Sequence, residues 1–167
     1  MIARELENAL AGWLKGESQP DLGGYYRFKT GSGEGADLPI RTGHDERGEL
    51  PEDGFLLVEC LDSGVSQVTI GLNAFTATVN VQLVYPSDNH SGDPSTLPSF
   101  DACVDEVDKA ILRDDLPSLL TEQGAGVGVL GFSGGFGFQS GFDGRNRTAQ
   151  WTIPLAASKA MVWFPQQ

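Results

Sequence analysis

The chain has 167 residues and 40% apolar side chains, the size of one domain with its own core, so residues 1–167 are expected to form a single domain. Its 23 acidic side chains against 11 basic give a formal charge of −12, which repels phosphate backbones and anionic membranes and disfavours sequence-specific reading of nucleic acid. No apolar run reaches membrane-spanning length, and Arg4, Glu5 and Glu7 interrupt the segment where a signal peptide would be apolar. Cys60 and Cys103 sit in apolar segments without ligand-like spacing, as buried free thiols of a reducing compartment do.

In chain order, Ile2, Leu6, Ala9, Leu10, Trp13 and Leu14 recur at helical spacing with Arg4, Glu5, Glu7 and Asn8 on the other side, which predicts an amphipathic N-terminal helix ending near Gly16. Residues 17–53 lose this periodicity and gather glycine and proline, so a long loop or arm is expected there, with a short strand at Tyr25 to Lys29. So long a loop implies a functional arm or a segment that orders on assembly. Phe55 to Leu61 is a continuous apolar run, and Asp62-Ser63-Gly64 separates it from Val65 to Gly71, a pattern that predicts a hairpin. Next, Phe75, Ala77, Val79, Val81, Leu83 and Tyr85 alternate with Thr76, Thr78, Asn80 and Gln82. This is a long strand with one face on the core and a polar face that is either wet or lines a channel.

Beyond a polar loop from Pro86 to Pro98, Ser99 is placed to cap a helix whose apolar face is Phe100, Cys103, Val104, Val107, Ala110 and Ile111 and whose other face carries Asp101, Asp105, Glu106, Asp108 and Lys109. Asp114-Asp115 breaks it, and Pro117 stands near the first turn of a short helix, Ser118 to Glu122. Residues 124–144 interleave glycine with Val127, Val129, Leu130, Phe132, Phe136, Phe138 and Phe142, which predicts a long glycine-rich hairpin. The last element alternates Ala149, Trp151, Ile153 and Leu155 against Thr148, Gln150 and Thr152, and Pro154 places it at an edge or at its exit from the sheet. Strands clustered around one central helix predict an α+β fold, a mainly antiparallel sheet packed against one or two helices.

Chemistry-bearing patterns are sparse. Gly126-Val127-Gly128-Val129-Leu130-Gly131 fits G-x-G-x-x-G, but it follows helical residues and leads into more glycine and phenylalanine, the reverse of the strand-to-helix turn that receives a pyrophosphate. His44 and His90 stand in separate loops among carboxylates, which favours solvated side chains over a metal site. Neither cysteine has a histidine at local spacing to activate it. No catalytic residue, cofactor or metal is therefore expected. The segment that packing explains least is the glycine and phenylalanine run, which reads either as a core-packed hairpin or as an apolar edge buried only against a neighbouring subunit, through Phe132, Phe136, Phe138 and Phe142.

The order of elements resembles that of the tail terminator, or tail completion, proteins of long-tailed bacteriophages. Four features carry the likeness over most of the chain: the helix Ile2 to Leu14, the alternating strand Phe75 to Tyr85, the helix Phe100 to Arg113 with Leu116-Pro117-Ser118-Leu119-Leu120 behind it, and the closing strand Thr148 to Leu155. The Tyr85-Pro86 step from a long strand through a polar loop into a helix rich in Asp and Val is the most specific piece. The resemblance implies a structural protein of the virion, made in the host cytoplasm and placed at the tail-neck junction. There a homo-oligomeric ring, generally a hexamer, would cap the head-proximal end of the tail tube, stop its polymerisation and dock onto the neck. Tail tube protein, a neck or head-completion protein and, at the extra loops, sheath protein would be its partners, and no membrane. Asp88, His90 and Asp93, in the loop Ser87 to Leu97, would meet such partners. Genomic DNA would pass through a negatively lined lumen without specific binding, because condensed counterions gain nothing by leaving. The long loop 17–53 and the glycine-rich segment 124–144 depart from the family's pattern.

Two neighbouring roles share these features, a head-tail connector and a tube subunit. A rival of another class is a small-molecule or metal-binding enzyme domain using residues 124–131 and the two histidines, and it predicts stabilisation by its ligand.

Overall fold

The computed structural model describes residues 2–18, 25–28, 37–43, 54–69, 72–85, 98–123, 127–143 and 146–160. These form an α+β fold: helices α1 (Ile2–Ser18), α2 (Phe100–Ile111) and α3 (Leu116–Glu122), and strands β1 (Tyr25–Arg27), β2 (Asp37–Thr42), β3 (Phe55–Thr69), β4 (Leu72–Tyr85), β5 (Val127–Phe132), β6 (Gly137–Asp143) and β7 (Asn146–Ala160). The sheet runs β1-β2-β3-β4-β7-β5, with β6 also on β7. Every pairing is antiparallel except β2 with β3. Among the described residues no helix is long and apolar enough to cross a membrane.

One face of the sheet carries the core. Leu56 and Val58, Val79, Val81 and Leu83, and Trp151, Ile153 and Leu155 are fully buried on alternate positions of β3, β4 and β7. They meet Leu6, Leu10 and Leu14 of α1, Cys103, Val107 and Ile111 of α2, and Leu116 and Leu120 of α3. Ser99 caps α2 as its sequence predicts, its hydroxyl accepting from the Ala102 N–H at 3.2 Å. Trp13 ties α1 to α2, donating from Nε1 to the Ala110 carbonyl at 3.1 Å while Arg113 lies 5.2 Å over its ring.

Five expectations are corrected. Residues 17–53 are not one loop: Leu38, Ile40 and Thr42 are buried on one side of β2, a period-two signal too short to outweigh its Gly and Pro surroundings. The hairpin at Asp62-Ser63-Gly64 does not form. β3 runs through it in register with β4 (Asp62↔Thr78, Ser63↔Ala77, Gly64↔Thr76), and irregularities at Cys60/Asp62 and Val65/Gln67 absorb the break in the apolar pattern. Glu7, expected on the solvent side of α1, is fully buried, and its Oε2 accepts from the Cys60 N–H at 2.8 Å. The strand directions explain this. The Val58 carbonyl faces β2 and accepts from the Gly43 N–H, so Cys60, two residues on, faces the same way, beyond the end of β2, where the carboxylate takes its N–H.

Residues 124–144 do not make a hairpin of their own. β5 and β6 lie end to end along β7, β5 opposite Leu155–Lys159 and β6 opposite Asn146–Thr152, and neither pairs with the other. Pro154 accordingly lies inside the sheet, opposite Thr78 of β4 on one side. On its other side β5 has ended and β6 has not begun, so the N–H that proline lacks has no ladder partner to lose. Its carbonyl, on that same side, accepts from the Ser133 N–H at 3.1 Å.

Candidate interaction surface

The outer strand pair β5 and β6 bounds one side of the sheet, and the predicted aromatic residues line it in order of increasing exposure. Phe132 is partly buried against the core, with the Phe136 ring edge-on at 4.8 Å. Phe138, opposite Trp151 in register, packs its ring at 5.4 Å and 58° to the indole. Phe136, Phe138 and Phe142 are 39%, 53% and 75% exposed. The structure places all four along one edge. Asp88, His90 and Asp93 lie outside the described residues, as does His44.

Leu130 was missed and is 66% exposed. In register Val129 faces Ala157 and Gly131 faces Ala156, so Leu130 is the extra residue of a bulge that turns it out of the core pattern. A glycine on either side of a Val-Leu pair is the signal that could have found it. A Cβ built at Gly131 or Gly135 would meet no atom within 4 Å, so packing within the subunit does not require glycine at those positions.

Trp151 is the platform beneath this edge. It is fully buried, and its Nε1 donates to Asp108 Oδ1 of α2. Beside it, Arg147 holds its guanidinium 4.1 Å over the Phe100 ring, which meets Tyr85 edge-on at 5.7 Å. The Tyr85 hydroxyl donates to the Pro98 carbonyl, toward which the Cys103 thiol points from 3.7 Å. Burial, and then the Glu106 carboxylate, push that thiol up to about 12. Burial and then Cys103 also raise the Tyr85 phenol, against the Arg147 charge. A nucleophilic thiol requires the opposite shift, so Cys103 is an inert core group here.

Charge divides the molecule. Asp101, Asp105, Asp114, Asp115 and Glu122 are exposed on the α2–α3 side, where Arg113 pairs with Asp115 at 2.9 Å and its hydrogen bonds hold that carboxyl below its usual range. The face of β4 and β7 turned away from the helices instead carries Thr76, Thr78, Asn80 and Gln82 beside Thr148, Gln150 and Thr152, all at least partly exposed and none charged. In its middle, Asn80 Oδ1 is buried without a hydrogen-bond partner. Compared with known protein families and with curated proteins, the sequence matches no family model and no relative.

Proposed function

We propose that the chain is a structural protein of a phage virion, a tail terminator whose ring, of six copies in the resemblance, caps the head-proximal end of the tail tube, stops its growth and joins it to the neck. One observation carries the reading: an apolar, aromatic sheet edge, uncovered among the described residues, on a chain that is otherwise strongly acidic. Edges of this kind are completed by another polypeptide. The neutral hydroxyl and amide face supports the same reading. Turned inward, it gives passing DNA a wall whose β4 and β7 positions hold no cation to release counterions, and the acidic helices face outward. In this arrangement β4 and β7 present neutral groups to the lumen, with Glu59 of β3 opposite Asn80 on the same face.

The test is the mass of the purified protein by light scattering, alone and after mixing with candidate tube protein, with negative-stain images of the tubes. Rings seated on tube ends and tubes that stop lengthening are expected. Unchanged mass and undiminished tube growth would overturn the reading, and growth of the chain into long tubes of its own would assign it as a tube subunit.

A further inference from the structure

The backbone directions of β6 follow from its register. The Pro154 carbonyl points toward β5 and β6, so Thr152, Gln150 and Thr148 turn their backbone groups the same way and meet Gly137, Gln139 and Gly141. Neighbouring residues of a strand alternate, which leaves the N–H and C=O of Phe138, Ser140 and Phe142 pointing away from the sheet. All three residues are exposed, and from Gly137 to Phe142 the strand holds no charge, proline or bulge of the sort that blunts an edge.

This outward row is self-complementary. Set antiparallel to itself with Ser140 opposite the partner's Ser140, it places Phe138 against the partner's Phe142 on the same face, twice over. Each of the three outward-pointing residues then exchanges both of its backbone bonds. Gln139 meets the partner's Gly141, where there is room for its longer side chain. A shift of one residue sets outward groups against inward ones, and a shift of two strands one Phe without a partner. Only the register centred on Ser140 satisfies the whole row.

We propose that the free subunit pairs with a second copy of itself through β6, antiparallel and two-fold about Ser140, and that ring assembly must displace this pairing because it needs the same edge. The pairing does not depend on the terminator reading; its displacement does. Charge permits a second copy here, since two chains at −12 repel each other wherever they are acidic and β6 carries no charge from Gly137 to Phe142. Area sets the strength. At roughly 200 Å² for each large side chain, the exposed parts of Phe136, Phe138 and Phe142 amount to about 330 Å² per copy, which makes the pair a weak, transient one and keeps it displaceable.

Ser140→Cys in the full chain tests this. A hydrogen-bonded antiparallel pair holds its Cα atoms about 5.5 Å apart, within the ~4.4–6.8 Å that a disulfide spans. The native Cys60 and Cys103 are buried. Under mild oxidation S140C should become a covalent dimer, whereas Gln139→Cys, displaced along the strand from its own copy, should not. Absence of the S140C dimer, or equal cross-linking of both variants, would overturn the pairing. Ser140→Pro removes one outward N–H and leaves the β6–β7 bonds in place, so it should weaken self-association at least ten-fold at an unchanged unfolding midpoint. Wild-type association in that variant would also overturn the pairing. Rings that form from a subunit never cross-linked through S140C would sink the dimer and keep the terminator reading. A cross-linked dimer that, once reduced, leaves tube growth untouched would do the reverse.

Discussion

Among the described residues, β3 and β6 each have a stretch of edge with no neighbouring strand, and the chain treats them differently. β3 outlasts β2 beyond Thr42, and there the buried Glu7 carboxylate reaches over from α1 to take the Cys60 N–H. The outer side of β6 receives no such cover from the described residues, and its side chains are phenylalanines rather than charges. An edge finished from within belongs to the folding of one subunit. An edge left apolar and open concerns what the subunit meets.

The sharpest way to break this contrast is to remove what supports both the core and the open edge. Trp151 is fully buried, holds Asp108 of α2 and carries Phe138 on its outer side. Trp151→Ala should cost about 3–5 kcal/mol, read as a lower denaturant midpoint in a monomeric background. A loss below about 1 kcal/mol would mean that the sheet centre is not the foundation of the edge. Next in size is the finished edge. Glu7→Ala leaves the Cys60 N–H buried without this acceptor and should destabilise by about 1–3 kcal/mol, while Glu7→Gln, which keeps a carbonyl oxygen at the same reach, should recover most of the loss. Equal destabilisation by both would assign the effect to charge rather than to the missing acceptor.

These regions were unequally legible in the sequence. α1, β4 and α2 were readable because each repeats one period for long enough, and the Ser99 cap has a fixed local signature. Glu7 was misread because its burial depends on Cys60, 53 residues away, and on where β2 ends beside it, which no local pattern encodes. The run Asp62-Ser63-Gly64 has the composition of a turn, yet bulges let it remain in a long ladder with β4. Pro154 signalled an edge correctly in a restricted sense: a gap exists beside it, between β5 and β6, although the strand itself is central. The aromatic edge was legible through composition alone, since phenylalanines among glycines have little nearby side-chain mass to bury against. Which of them are covered was not, because that is decided by Trp151 and by the bulge at Leu130.

The smallest expected effect on folding is also the most discriminating. Phe142 is 75% exposed and, unlike Phe138, has no ring of its own subunit against it among the aromatic pairs described. Phe142→Ser should therefore leave monomer stability within about 0.5 kcal/mol of wild type, as surface substitutions do, while reducing self-association measurably in sedimentation. Phe138→Ser should do both, because it uncovers the indole as well as the edge, and Phe136→Ser should fall between them through its contact with Phe132. The order of the three in stability and their order in association are thus expected to differ. If the two orders coincide, with Phe142→Ser unfolding the monomer, the edge belongs to the core and the contrast with β3 disappears.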